Sequence, residues 1–280
     1  MNEFLEIIKA VLLGIVEGIT EWLPVSSTGH MILLDELVTL KVSDAFLEMF
    51  LVVIQLGAIL AVPILFWNKL SPITAGRTQT EKNRVLSLWL KVIVGALPAA
   101  VIGLLFDDIL DTYLYNYVTV SVALVVYGIA FVLVERLKRK SGFRIDSVYD
   151  ITYTDALKIG AFQVLSLIPG TSRSGSTILG GMLSGISRTA SAEFSFFMAI
   201  PIMLGASGLK ILKFILGGFT ATGGEIAILL VGIVVSFLVS LLAIKLLMDF
   251  VKRHSFSIFG VYRIVLGVIV FGYFIANNSI

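Results

Sequence analysis

Residues 17–30 read EGITEWLPVSSTGH and residues 169–177 read PGTSRSGST. Each stretch places proline, glycine and small hydroxyl residues in the middle of a hydrophobic region, about 4–40 and about 156–187 respectively. Backbone broken at membrane depth is tolerated only where protein or a water-filled cavity surrounds it. We therefore predict that both regions form re-entrant helical hairpins, with the two polar stretches as their breaks.

The composition of the whole chain indicates a membrane protein. Of the 280 residues, 58% are hydrophobic and 14% are charged, whereas soluble domains are about 45–50% apolar and about 25% charged. The chain has no cysteine, which excludes disulfides and thiolate metal sites. No basic stripe indicates binding to nucleic acid.

Six further segments are apolar enough to cross a bilayer, since a helical span needs about 20 apolar residues. We predict an all-α polytopic membrane protein with a single membrane domain over residues 1–280. Its spans are expected at about 45–67, 87–106, 117–134, 190–214, 226–248 and 258–276.

The charges of the connecting loops orient these spans, because cytoplasmic loops collect Lys and Arg. The cations concentrate in loops 68–86, 135–156 and 249–257, whereas the loops at 107–116 and 217–225 contain acidic residues and no Lys or Arg. If the basic loops face the cytoplasm, the chain places its two hairpins on opposite sides. The halves, about 1–134 and 156–280, then form an inverted-topology repeat.

Matched residues support the repeat independently of the loop charges. Equivalent residues recur at an offset of 145 on the breaks and on the first acid of each following span. The pairs are Pro24 with Pro169, Ser27 with Ser172, and Glu48 with Glu193. Such repeats bring broken helices together near the midplane, where binding sites form.

The first break carries groups suited to acid–base chemistry. Glu17 and Glu21 are four residues apart and share a helical face; a solvated helix end would also explain them, but ionisable groups in membrane segments are usually functional. Ser26 or Ser27 can cap the next half-helix, whose N-terminus offers free N–H groups to an anion. His30 lies on the same face as Ser27 and is interpreted as a proton carrier.

The second break is suited to holding an anion. Its glycines and hydroxyl residues favour a nest of backbone N–H groups, and Arg173 adds a planar donor fork that matches phosphate oxygens. A structural arginine that snorkels or pairs with an acid is the alternative. Together the breaks supply acids, a nucleophile, a proton carrier and an anion clamp, which favours phosphoryl transfer. The predicted phosphate contacts are Ser26, Thr28, Gly170, Thr171, Ser172, Ser174 and Thr177.

Other polar residues in apolar sequence are weaker candidates. Arg263 is expected to pair with an acid for structural reasons. Glu48 and Glu193 are expected to orient the hairpins or to counter the arginine of the second break. Gln163 occupies the second half much as Glu17 does the first, one residue out of register.

In this order and setting, the two motifs resemble the bacterial undecaprenyl-pyrophosphate phosphatase family, also called the bacitracin-resistance family. The likeness covers essentially the whole chain. It includes GIVEGITEWLPVSSTGH at 14–30, VVIQLGAILAV at 52–62, PGTSRSGST at 169–177 and EFSFFMAIP at 193–201.

The resemblance implies a fold of six spans and two re-entrant hairpins in the bacterial plasma membrane, with a site open to the outer side. It implies removal of the terminal phosphate from undecaprenyl pyrophosphate, which regenerates the lipid carrier of peptidoglycan synthesis, and dependence on a divalent cation. The family's motif residues fall on Glu17, Glu21, Ser27, His30, Ser172 and Arg173, with Thr177 nearby.

The expected mechanism leaves several choices open. Ser27 either attacks the terminal phosphorus or positions a water that does so, and Glu17 and Glu21 either bind Mg²⁺ or Ca²⁺ or supply a base. The alternative function is an inverted-repeat transporter or flippase for a lipid phosphate or another anion, because broken helices at the midplane also occur in transporters. The sequence leaves open whether the chain forms homo-oligomers.

Overall fold

The computed structural model describes residues 3–277, except for the side chains of residues 35–36, 107–111 and 139–141. The acidic residues predicted to mark an outer loop, Asp107, Asp108 and Asp111, therefore lie outside the described side chains. The fold is α-helical, and its helices are α1 (Glu3–Thr20), α2 (Ser27–Leu37), α3 (Asp44–Leu65), α4 (Trp67–Leu70), α5 (Gln79–Leu114), α6 (Tyr117–Ser141), α7 (Tyr153–Val164), α8 (Arg173–Leu183), α9 (Arg188–Leu216), α10 (Gly223–Arg253) and α11 (Ser257–Ala276).

Six of these helices, α3, α5, α6, α9, α10 and α11, are long and apolar enough to cross a membrane. They correspond to the six predicted spans, so the multi-pass membrane fold is confirmed. The helices extend past the predicted limits at several ends, most of all at α5, which begins at Gln79 instead of residue 87. The first two turns of α5 contain charged residues, so a prediction based on hydrophobicity finds only the apolar part of the helix.

The two remaining hydrophobic regions each form a pair of helices separated by a break, as predicted. α1 ends at Thr20 and α2 begins at Ser27, while α7 ends at Val164 and α8 begins at Arg173. The second helix of each pair is capped by a serine with positive φ, Ser26 at 74° and Ser172 at 73°. Each serine side chain accepts a bond from the backbone N–H three residues later, which satisfies one free donor of the helix start.

These caps correct the predicted match between the two breaks. The offset of 145 pairs Ser27 with Ser172, but the structural equivalents are Ser26 and Ser172, at an offset of 146. Ser27 therefore corresponds to Arg173, the first residue of α8. The shift arises because the cap follows Pro24 by two residues and Pro169 by three.

Helix packing links the two halves of the chain. α1 packs along α10, and α7 packs along α5, so the first helix of each pair rests on a span from the other half. α3 packs on α9 and α6 on α11. Glycines permit the close approaches: a Cβ on Gly57 would lie 2.1 Å from the Ile233 carbonyl oxygen, and a Cβ on Gly128 would lie 2.6 Å from that of Gly260. Small residues of this kind let membrane helices pack at close range.

Candidate active site

The carboxylates of the first break lie on one helical face, as predicted. The Glu21 N–H donates to the Glu17 carbonyl oxygen at 3.0 Å, so the helical turn continues past the end of α1. Glu17 is 1% exposed and Glu21 is 6% exposed. A buried carboxylate needs partners. Glu21 has one from each break, namely Ser27 and Arg173.

Arg173 joins the second break to the first. Its Nε and Nη2 donate to Glu21 Oε1 at 3.1 and 3.0 Å. Its Nη1 donates to the Ser195 carbonyl oxygen at 2.8 Å, and its guanidinium lies 5.8 Å from the centre of the Trp22 ring. Arg173 therefore does pair with an acid, as the alternative interpretation expected. That acid is Glu21, which is itself a predicted site residue, so the ion pair joins the two breaks.

Ser27 shares the same carboxylate. Its hydroxyl donates to Glu21 Oε2 at 3.3 Å, and its side chain is half-buried. A hydroxyl bonded to a carboxylate has the arrangement of a nucleophile beside a base. Glu21 thus lies between a permanent cation on one oxygen and a serine hydroxyl on the other.

His30 does not contact the Ser27 side chain through either ring nitrogen, although the two residues are three apart on α2. Its Nδ1 is 2.7 Å from the Ser26 carbonyl oxygen, and its Nε2 is 2.7 Å from the Tyr262 hydroxyl. A carbonyl oxygen only accepts, so in the neutral imidazole Nδ1 carries the proton and Nε2 accepts the Tyr262 O–H. The ring is therefore held by a hydrogen bond at each nitrogen.

Tyr262 was missed by sequence reasoning. A tyrosine near the start of a hydrophobic span usually serves as an interface anchor, and nothing in the surrounding residues indicates a histidine partner 232 positions away. The two rings also stack, with centroids 5.7 Å apart. Ser195 was missed for the same reason, since it lies inside an apolar segment of α9.

Ser174 joins the second break to the first, and Thr177 joins it to α9. Ser174 Oγ donates to the Glu21 carbonyl oxygen at 3.0 Å. Thr177 Oγ1 is 2.6 Å from Ser195 Oγ and donates to the Arg173 carbonyl oxygen at 2.9 Å. Of the predicted phosphate contacts, Ser26 and Ser172 are helix caps. Ser174 and Thr177 donate to the backbone carbonyl oxygens of Glu21 and Arg173, respectively. Thr28 is half-buried in the first turn of α2.

Arg263 was expected to pair with an acid, and this expectation is wrong, because its hydrogen bonds go to carbonyl oxygens. Its Nη1 donates to the Pro24 oxygen at 3.2 Å, and its Nη2 donates to the Gly170 and Thr171 oxygens at 2.9 and 2.8 Å. The residue is 0% exposed. Gly170 and Thr171 thus serve as acceptors within the fold, and Arg263 ties both broken segments to α11.

The remaining acidic candidates lie apart from Arg173. Glu193 accepts from Lys69 Nζ at 2.7 Å on both oxygens, and Glu48 pairs with Lys210. They join neighbouring helices, and neither counters the arginine of the second break. Gln163 is buried, at 1% exposure, and neither polar atom of its side-chain amide has a hydrogen-bond partner in the structure.

Glu17 and Glu21 are the acids of the first break that could contribute to a metal site. Within the described side chains there is no cluster of three Asp, Glu or His residues that would bind an ion alone. Glu17 Oε1 is buried without a hydrogen-bond partner, which leaves an oxygen for a cation. Mg²⁺ is typically bound by one or two carboxylates plus substrate phosphates, and Glu17 with Glu21 fits that pattern.

Comparison with known proteins assigns the chain to a family. The sequence model described as "Bacitracin resistance protein BacA" matches residues 10–269. The chain belongs to the BacA family. Among its BacA relatives, the protein named undecaprenyl-diphosphatase from Desulfitobacterium hafniense is 56% identical over 98% of both chains. Proteins of the same name from Acetivibrio thermocellus and Enterococcus faecalis are 55% and 54% identical, each over at least 96% of both chains.

Proposed function

We infer that the chain hydrolyses undecaprenyl pyrophosphate to undecaprenyl phosphate and inorganic phosphate, as the names of its BacA relatives state for those proteins. The six apolar helices provide the membrane setting that this substrate requires. Hydrolysis returns the carrier to peptidoglycan synthesis, and the family description adds resistance to bacitracin. The observation that supports the proposal is the chain of contacts Ser27–Glu21–Arg173, in which a serine hydroxyl and an arginine guanidinium share one carboxylate.

In this proposal Arg173 holds the terminal phosphate and offsets the charge that develops on it in the transition state. The second-break hydroxyls, Ser174 and Thr177, keep Arg173 and the first break in register. The N–H groups at the starts of α2 and α8 add further donors for phosphate oxygens. Because Arg173 already contacts Glu21, substrate binding shares or displaces part of this ion pair.

Ser27 is proposed as the nucleophile. Its Oγ forms a bond to the terminal phosphorus while its proton passes to Glu21. The bond from phosphorus to the bridging oxygen breaks and releases undecaprenyl phosphate, which leaves a phosphoserine that water hydrolyses. Acid quenching with substrate labelled in the terminal phosphate tests this step: label should remain on Ser27, and direct attack by water would leave the protein unlabelled.

His30 is proposed to move a proton at Nε2. Because Nδ1 is committed to the Ser26 carbonyl oxygen, Nε2 is the nitrogen that takes part in exchange, with the Tyr262 hydroxyl as its immediate partner. A divalent cation, Mg²⁺ or Ca²⁺, would be held by Glu17 and Glu21 with the substrate phosphates, and when bound it neutralises phosphate charge.

The proposed membrane arrangement follows the predicted repeat. Helix pairs α1–α2 and α7–α8 are re-entrant hairpins entering from opposite sides, and the exchanged packing of α1 on α10 and α7 on α5 fits two halves related by a twofold axis. We propose that the basic loops face the cytoplasm and, as membership of the BacA family implies, that the protein lies in the bacterial plasma membrane with its site open outward.

Phosphate release by the purified protein in detergent tests the function against the transporter alternative. A hydrolase releases phosphate from undecaprenyl pyrophosphate with no gradient and no second compartment. A carrier needs an anion clamp but no serine bonded to a carboxylate. Well-folded protein that releases no phosphate, but moves the lipid across vesicles, would replace the hydrolase with the flippase.

A further inference from the structure

Arg263 is a cation at 0% exposure within α11, and its hydrogen bonds go to backbone carbonyl oxygens of both breaks. A buried charge is costly unless it is paired and hydrogen-bonded, and ionisable groups within membrane segments usually have a function. A neutral donor would suffice to tie two loops to a helix. The charge of Arg263 therefore calls for a role beyond the tie.

Two successive peptide groups of the second break accept from Arg263 Nη2, through the Gly170 oxygen at 2.9 Å and the Thr171 oxygen at 2.8 Å. In a trans peptide group the N–H points away from the C=O. The N–H opposite the Gly170 oxygen is that of Thr171, and it donates to the Ile168 carbonyl oxygen at 3.1 Å. The N–H opposite the Thr171 oxygen is that of Ser172, which has no acceptor among the described residues. Arg263 thus holds one peptide group whose N–H is free for a ligand.

The free Ser172 N–H opens a row of free donors. Ser172 has a φ of 73° and caps α8, and the first N–H groups of α8, on Arg173 and Ser174, have no partner within the helix. Successive N–H groups at such a turn form a concavity that binds anions. Gly175 gives the guanidinium room behind this row, because a Cβ there would lie 3.0 Å from Arg263 Nη1.

The charge of Arg263 should strengthen the Ser172 donor. A hydrogen bond from a charged donor is stronger than a neutral one. Hydrogen bonds in a chain polarise one another, and the effect is larger at low dielectric, so a cation on the Thr171 oxygen makes the N–H of the same peptide group a better donor. The Tyr127 ring lies 5.5 Å from the guanidinium carbon and helps to enclose the cation. Because Arg263 is fully buried, it acts on a ligand only through the groups it holds.

We propose that Arg263 is a positioning residue, which orients and polarises the Thr171–Ser172 peptide group so that the Ser172 N–H donates to an oxygen of the terminal phosphate. This inference rests on the proposed function. Fixed donors act most strongly on the charge that develops in the transition state, so Arg263 should affect kcat more than KM. A purely structural tie would change the folded fraction but not the kcat of the molecules that fold.

Backbone esters at the two neighbouring peptide groups provide a matched test. The α-hydroxy acid of serine at position 172 removes the free N–H and weakens the Thr171 oxygen as an acceptor. The α-hydroxy acid of threonine at position 171 weakens the Gly170 oxygen in the same way, but it removes the N–H that donates to Ile168. Both esters loosen Arg263, and only the first removes the proposed phosphate donor. With undecaprenyl pyrophosphate, the ester at 172 should lower kcat per folded molecule by about 10²-fold, the lower end of the cost of a lost transition-state donor, and the ester at 171 should keep most of its turnover.

Side-chain variants separate the charge of Arg263 from its bonds. Arg263→Gln removes the charge and should lower kcat by at least about tenfold, short of the about 10²–10³-fold cost of removing a donor outright, with little change in KM. Arg263→Lys keeps the cation and should retain more turnover than Arg263→Gln. In protein with the ester at 172, Arg263→Gln should cost little further kcat, because two changes that act through one group are not additive. Arg188→Gln is the control: Arg188 donates to Glu135, so its loss should lower the melting temperature and leave the kcat of folded molecules unchanged.

The outcomes separate this inference from the proposed function. Equal kcat for the two esters, or wild-type kcat in Arg263→Gln, would overturn the proposal and leave Arg263 as a structural tie. Full additivity of Arg263→Gln and the ester at 172 would also overturn it, because Arg263 would then act elsewhere. If Arg263→Gln does not fold, the two esters decide alone, since both keep the Arg263 side chain. Failure of wild type to release phosphate would instead contradict the hydrolase.

Discussion

Replacing Arg173 with alanine should abolish most of the activity. The change removes the cation expected to hold the terminal phosphate, and it removes two hydrogen bonds to Glu21 and one to the Ser195 carbonyl oxygen. Loss of one transition-state donor costs about 10²–10³-fold in kcat, or about 2.7–4 kcal/mol. We expect a loss of at least this size, because Arg173 provides both charge and several donors.

The same substitution should also destabilise the protein. It leaves the Glu21 carboxylate buried, at 6% exposure, without its cation, and breaking a buried pair costs about 3–5 kcal/mol. Activity must therefore be measured per folded molecule, as phosphate release by the monodisperse fraction in detergent beside its thermal melting curve.

Arg188→Ala is the matched control. Arg188, at the start of α9, forms a similar fork with buried Glu135 of α6, with N–O distances of 2.8 and 2.6 Å. It should lower the melting temperature while each folded molecule keeps near-normal turnover. If Arg173→Ala also kept turnover within about tenfold of wild type, well short of the cost of a lost transition-state donor, Arg173 would be structural and the proposed phosphate clamp would be refuted.

Three further predictions concern positions outside the arginine pair. Tyr262→Phe removes the donor to His30 Nε2, so a second imidazole tautomer should appear in ¹⁵N NMR spectra. Turnover should fall by less than in His30→Ala, which loses an acid–base contribution of about 10²–10⁴-fold in rate. An unchanged tautomer would contradict the positioning role of Tyr262. Arg263→Met breaks three bonds to carbonyl oxygens, each worth about 1.5–3 kcal/mol when the donor is charged, so the melting temperature should drop steeply, and a stable, fully active variant would show that the two breaks do not need this tie. Gly57→Ala should destabilise by at least about 1–3 kcal/mol through overpacking against α10, whereas Gly205→Ala, which has open space around it, should not; equal melting temperatures would argue against the close helix contact.

The spans and breaks were predictable because the bilayer imposes them. Apolar length defines a spanning helix, and broken backbone needs protein around it, so both features are visible in one sequence. The extra turns of α5 were not visible, because Glu81 and Arg84 continue the helix in polar sequence. Local capping, rather than hydrophobicity, also decided that Ser26 and not Ser27 is the structural match of Ser172.

The sequence singled out residues that the structure brings into contact, but it did not predict how they pair. Residue type marked Glu21, Ser27 and Arg173 because charged and hydroxyl groups are costly in apolar sequence without a role. The partners of His30 and Arg263 were not predictable. They depend on where α11 packs against the breaks, and neither a tyrosine nor a backbone carbonyl carries a sequence signal for such contacts.

The most direct measurement is phosphate release from undecaprenyl pyrophosphate by purified protein, with and without Mg²⁺ or Ca²⁺, beside Ser27→Ala and His30→Ala. We expect release by wild type that needs the cation, and loss of release in both variants while they remain folded. Cation-dependent release that survives in folded Ser27→Ala would contradict the assignment of the chemistry to the first break.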